Sequence, residues 1–163
     1  MKFLPDDYLG SWTLASPFKK RGVCLHTGDT TEVRVLPSQK PGFHVSWIDK
    51  NYLPITLQAN QVRHTSLCTT VELGKNRLST VEHLLAALVG CGLTHVHIQV
   101  SGNEIPLLDG SALPWVESIT EAGMVQAASA RNPALAITNP VVINRGESVI
   151  TATPAENFKI IGI

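Results

Sequence analysis

Charge is scarce and unpatterned in this 163-residue sequence: 16% of it is charged, with thirteen basic residues against thirteen acidic ones. That balance, with no basic stripe or charge block, gives no electrostatic reason to expect nucleic acid or an anionic membrane surface as partner. Cysteine is equally sparse. Cys24, Cys68 and Cys91 are widely spaced, odd in number and form no C-x-x-C. Such usage argues against a disulfide framework and for a reducing compartment, the cytoplasm by default. Long apolar runs are missing as well. The first twenty residues contain none of signal-peptide length, and nothing downstream approaches the roughly twenty apolar residues of a membrane span. No internal repeat or low-complexity tract is visible.

The sequence is instead 44% hydrophobic with a mean hydropathy just above zero, a globular composition. Its length suffices for one ordinary domain with a real core, or for one domain and a fragment. Apolar residues alternate in short runs: Val33 and Val35 in TTEVRVLP, Phe43, Val45 and Trp47 in GFHVSW, and Val96, Ile98 and Val100 between His95, His97 and Gln99. Period-two alternation bounded by Gly, Pro and Asn predicts half-buried strands.

Two segments predict helices. The first begins near Ser79, carries Val81, Leu84, Leu85 and Leu88 at helical spacing, and stops at Gly90 and Gly92. The second follows the Asp109-Gly110 turn, runs from about Leu113 to Ala122, tolerates Pro114 in its first turn and ends at Gly123. The order strands, helix, strand, helix argues for an α+β, two-layer domain with both helices on one sheet face. Past Gly123 the character changes. A small, polar AASARNP segment reads as a linker. Two β-like runs follow, PALAITNPVVI and ESVITATP, around an Asn144-Arg145-Gly146 turn. The chain then ends on a third, FKIIGI, as if a second domain had barely begun.

LSTVEHLLAAL is the stretch with most chemistry, and it supports two readings. In the structural one, Ser79-x-x-Glu82 is a capping box, with His83 a surface residue. Helix geometry favours a second. At about 100° per residue, His83 points away from the apolar stripe, beside Ala86, Ala87 and Gly90. An outer face of alanines with one histidine suggests that something packs over it. In the first turn the macrodipole also favours the neutral imidazole that a metal needs. Glu82 would then stand within reach of a metal-bound water.

Four blocks in order carry a resemblance: GVCLHTGD at 22–29, RHTSLCTT at 63–70, the LSTVEH segment, and IPLLDGSA ending at Ala112. Over residues 11–125, and more weakly over 132–163, the sequence resembles the UDP-3-O-acyl-N-acetylglucosamine deacetylases, zinc hydrolases of lipid A synthesis. The resemblance implies two similar βααβ sandwich domains, like domain 2 of ribosomal protein S5, with the active site between them. On that view residues 1–126 are the first domain, 127–133 a linker, and 134–163 the incomplete start of the second.

It also implies roles. His83 would bind zinc and Glu82 would be the general base, taking a proton from a water whose pKa the ion lowers as acetate leaves the sugar's 2-amino group. Leu67 and Cys68 would line the substrate site, although Cys68 reads equally well as a small buried hydrophobe. His26 and Asp109 match polar family positions but have equally good explanations as formers of the HTGD and LDGS turns. The remaining zinc ligands, a histidine and an aspartate, would lie beyond Ile163, as would a histidine for the leaving group. A catalytic zinc normally takes three protein ligands, so the chain alone is expected to be a fragment with little or no turnover. Either the rest of the second domain would be missing from this sequence by truncation, or a separate chain carrying it would be the partner; a UDP-sugar lipid would be the substrate. The competing expectation is a non-catalytic sugar-nucleotide- or lipid-binding domain. His95 and His97 could offer two nitrogens on one strand face, but solvent-facing positions are the simpler expectation. His44 and His64 read as surface residues.

Overall fold

Alternation in the valine-rich runs produces strands whose inward residues meet at one core. In a computed structural model of the protein, residues 9–133, 136–156 and 158–162 are described. The chain divides into two compact units, Met1–Asn132 and Pro133–Ile163.

In the first unit a five-stranded sheet is built from β2 (Phe18–Val23), β3 (Thr30–Pro37), β4 (Gly42–Trp47), β5 (Ile55–Thr56) and β9 (His95–Val100), in the order β2-β3-β9-β4-β5. Strands β4 and β9 are parallel and the other pairs antiparallel. A parallel pair requires a long crossover. Here it contains a second sheet of β6 (Val62–His64), β7 (Thr70–Leu73) and β8 (Asn76–Leu78), then helix α1 (Glu82–Gly90). Helix α2 (Leu113–Ala122) follows β9, and β1 (Trp12–Leu14) pairs with β10 (Met124–Gln126). The inward Val33, Val35, Val45, Trp47, Val96, Ile98 and Val100 share one buried cluster with Leu84 and Leu88 of α1 and Trp115 and Ile119 of α2. The fold is α+β, and each helix buries part of its apolar surface in this core while Val89 and Leu113 stay exposed.

Helix α2 has the bounds that its sequence predicts, with Pro114 in the first turn and Gly123 at φ 72° ending it. The C-terminus of α1 also follows its glycines. Gly92 sits at φ 85°, its N–H donating to Val89 O, while the Leu93 N–H donates to Leu88 O. This reverse turn satisfies carbonyls that a helix end leaves open.

The N-terminus of α1 differs from expectation. The helix starts at Glu82, not near Ser79, and no side chain caps it. Ser79 is bridged instead to Glu104, with its hydroxyl on Thr70, and Thr80 takes φ 58°. The capping box does not form because Ser79 is held outside the helix by these tertiary partners. Ala87, expected on the outer face, is buried in the core at 2% exposure, whereas Ala86 is exposed. With only nine residues in α1, the core wraps around more of its circumference than the leucine stripe alone covers.

Two other surface readings are corrected. His44 and His95 are buried, because the outer sheet face is not open. His44 is bonded to Thr56 Oγ1 and Pro41 O. His95 lies between Thr94 Oγ1 and Ser129 Oγ. Within the 127–133 segment read as a linker, residues 127–131 are hydrogen-bonded to Ser11 and Gln39. His97 is half-buried and pairs with Ser46 Oγ at 2.8 Å. His64 is exposed, as expected.

The second unit holds an antiparallel hairpin of β11 (Val141–Arg145) and β12 (Ser148–Ala152). Its two-residue loop, Gly146 and Glu147, has Gly146 at φ 59°. Ala134 and Leu135 of the first β-like run, and Ile163 of the last, lie outside the described residues. Residues 136–140 and 158–162 form no strand; apolar pattern alone does not make a strand where no neighbouring strand is present to pair. Among the described residues no helix is long and apolar enough to cross a membrane.

Candidate functional site

Three loop segments converge on the start of α1. The first is the 65–69 loop between β6 and β7. Its tip, Leu67, is 90% exposed and held at φ 64°, a conformation that costs a branched side chain energy. Cys68 is half-buried, with Sγ 3.8 Å from Thr70 Oγ1. The next residue makes the connection to the helix: the Thr69 N–H donates to Glu82 Oε2 at 2.9 Å. Leu67 and Cys68 immediately precede this contact in the chain.

His83 is half-buried, and among the described residues neither ring nitrogen makes a hydrogen bond. His44 and His95 are each bonded on both nitrogens, whereas the ring of His83, like those of the exposed His26 and His64, makes no hydrogen bond among the described residues.

The second segment is the 107–111 turn. Asp109 Oδ1 accepts from the N–H and hydroxyl of Ser111 at 2.9 Å each, and Gly110 takes φ 81°. These bonds hold the Asp109 carboxyl below its ordinary value, and the nearby His83 imidazole adds a smaller pull in the same direction. Asp109 is therefore a turn former whose charge also lies in the field of His83.

The third segment is the 24–29 turn, where His26 is exposed and its backbone N–H donates to Glu104 Oε1 at 3.0 Å. Gly22, at its base, is needed for close approach: a Cβ there would stand 3.0 Å from Leu108 Cδ2 and 3.2 Å from Pro106 Cβ.

Glu104, which sequence pattern does not single out, lies 2% exposed within the VSGNEIPLLDG run, where Asp109 is a second acidic residue. His95 and His97 do not act as a ligand pair: their rings are engaged by Thr94, Ser129 and Ser46. Burial pushes both imidazoles down from their ordinary value.

A family model described as "LpxC: UDP-3-O-acyl N-acetylglycosamine deacetylase" matches residues 11–162. The chain belongs to this deacetylase family. Relatives named UDP-3-O-acyl-N-acetylglucosamine deacetylase include one from Nostoc sp., 42% identical, and one from Trichormus variabilis, 40% identical. Each aligns over 150 residues, 90% of this chain and 54% of the relative. Another from Citrifermentans bemidjiense is 36% identical over 151 residues, 91% of this chain and 49% of the relative. The chain spans about half the length of the curated relatives it matches. The relatives are named for an amide-cleaving reaction, and the family resemblance implies a zinc ion. A catalytic zinc takes three protein ligands. Among the described residues no cluster of three histidine, cysteine, aspartate or glutamate side chains could hold a metal. His83 offers one imidazole, and the described residues do not complete a site.

Proposed function

We propose that this chain supplies the general-base half of a site that hydrolyses the N-acetyl group of UDP-3-O-acyl-N-acetylglucosamine. Glu82 is the base, and His83 offers one imidazole to Zn2+. The other ligands come from outside these 163 residues, within the same polypeptide or on a separate chain. The observation that carries the reading is the pairing of an anchored carboxylate with an unbonded imidazole: Glu82 is tethered through Thr69, while the adjacent His83 ring makes no hydrogen bond among the described residues.

In this reading Glu82 removes a proton from water as its oxygen attacks the acetyl carbonyl. The C–N bond breaks, acetate leaves, and the sugar amine takes up a proton. Leu67 and Cys68 contact the substrate from the loop that ends at Thr69. His26 and Asp109 line the same rim, Asp109 lowering the cost of positive charge near His83. The fold assignment that accompanies this reading is a βααβ sandwich of the ribosomal protein S5 domain 2 type for the first unit, with the 141–152 hairpin as the opening strands of a similar domain. The location is the cytoplasm, in keeping with three free cysteines.

The test is reconstitution. The chain is mixed with zinc and the second half of the Nostoc relative, and acetate release from the UDP-sugar lipid is followed. Turnover is expected in the mixture, absent from the chain alone, and lost in Glu82→Gln and His83→Ala. Its absence from a mixture shown to associate would refute the proposal. The lone metal donor favours a second reading, a non-catalytic module that holds sugar nucleotide or lipid. Binding of the UDP-sugar by the chain with equal affinity in wild type and Glu82→Gln, and no acetate under any condition, would select it.

A further inference from the structure

Glu104 is the only carboxylate among the described residues in the buried class. No cation stands within salt-bridge reach of it there; hydrogen-bond donors satisfy it instead. Oε1 accepts from the His26 N–H at 3.0 Å and the Thr80 hydroxyl at 3.1 Å, and Oε2 accepts from the Thr27 N–H at 3.0 Å. Burying a carboxylate is expensive unless such bonds replace its water. The donors come from two segments far apart in sequence, the 24–29 turn and the corner between β8 and α1.

That corner carries the strain. Thr80 is β-branched yet sits at φ 58°, where such residues rarely go. Around it the backbone is bridged to the Glu104 segment: the Ser79 N–H donates to Asn103 O at 2.9 Å, and the Ile105 N–H to Ser79 O at 3.0 Å. The left-handed step at Thr80 turns the chain out of β8 and starts α1 two residues later at Glu82. What holds Thr80 therefore also sets where Glu82 and His83 are presented.

We propose that Glu104 is a positioning residue: its buried carboxylate locks the left-handed Thr80 corner to the His26 turn and thereby fixes the placement of the Glu82–His83 pair. The importance of that pair rests on the function proposed above, but the clamp itself is a geometric claim and is tested without metal or substrate.

The reporter is the Thr69 amide, which is bonded to Glu82 Oε2 and does not touch Glu104. Hydrogen exchange of the chain is followed by NMR in wild type, Glu104→Gln and Thr80→Val, with amides of the β3–β9 pairing as an internal reference for global stability. Glu104→Gln is expected to speed Thr69 exchange about tenfold relative to those core amides, and to loosen the His26 and Thr27 amides as well. Thr80→Val removes one hydroxyl without burying or freeing a charge, so it stays interpretable should Glu104→Gln fold poorly. It is expected to loosen Thr69 but not Thr27, and the double variant should loosen Thr69 no further than Glu104→Gln alone. Thr69 exchange that changes only in step with the β3–β9 amides, or does not change in Thr80→Val, overturns the proposal. Failure of acetate release in the reconstitution, with this exchange pattern intact, sinks the deacetylase reading and leaves the clamp standing.

Discussion

The Thr69 amide and the Glu82 carboxylate, thirteen residues apart, meet at 2.9 Å where the β6–β7 loop crosses the first turn of α1. This bond ties the loop to the helix without satisfying any of the open N–H groups of its first turn. It also orients the carboxylate. Glu82→Ala should therefore cost about 1 kcal/mol, in the range of a hydrogen bond to a partly exposed charged group, and loosen the 65–69 loop. Urea unfolding checks the first part and Thr69 amide exchange the second. An unchanged Thr69 amide would show that the bond does not form in solution.

The histidines should separate by role. His83→Ala is expected to change stability by less than about 0.5 kcal/mol, since its ring makes no hydrogen bond to lose. His95→Ala removes a buried ring bonded to Thr94 and Ser129, and should cost about 2 kcal/mol or more. The same urea titration on both variants decides it. Equal losses would mean that His83 is packed structurally rather than held available.

Acid should destabilise the first unit in two stages. Burial holds the His95 and His97 imidazoles below their ordinary 6.5. The unfolded chain then binds the proton more readily, so their contribution is full above 6.5 and declines as pH falls below it. For Glu104, burial raises the carboxyl, but the His26 and Thr27 amides and the Thr27 and Thr80 hydroxyls outweigh it, leaving the group below its ordinary 4.5. Its contribution is full above 4.5 and is lost as pH falls through the lowered folded value. Unfolding free energy measured from pH 7.5 down to 3.5 should show both declines. In Glu104→Gln the lower one should shrink, and a profile with the same acid limb would rule out this assignment.

Trp115 is fully buried, yet among the described residues its Nε1–H finds no acceptor. Removing an unsatisfied donor offsets part of the area lost on truncation. Trp115→Phe should therefore cost less than about 1 kcal/mol, against about 3–5 kcal/mol for Trp115→Ala. A phenylalanine variant as unstable as the alanine one would mean that ring volume alone matters.

The β11–β12 hairpin exposes Val141, Val142, Ile143, Val149 and Ile150. A two-stranded sheet alone is marginally stable in water. Its amides should exchange far faster than those of β9, and a hydrophobic dye should bind the chain. Core-like protection in the hairpin, or no dye binding, would contradict this.

Local pattern was enough for much of this molecule. Valine alternation predicts β3, β4 and β9, and Pro114 with Gly123 predicts both ends of α2, because strand faces and helix termini are governed by residues within a few positions of one another. The four family blocks likewise pointed to the segments around Glu82 and His83. Pattern failed where partners come from far along the chain. His44 and His95 alternate like surface residues, yet Thr56 and Ser129 enclose them; Ser79 and Glu82 are spaced like a capping box, yet Thr70 and Thr69 hold them.

By itself, then, the sequence determined the family, the α+β class and the neighbours Glu82 and His83, which are all carried by short-range order. Tertiary structure alone decided that His44 and His95 are locked on both nitrogens while the His83 ring has no hydrogen bond among the described residues, and that Glu104, 22 residues from Glu82, braces the corner leading to it. Hydrogen-bond satisfaction inside a core depends on which loops fold over which faces, and no spacing along a chain encodes that.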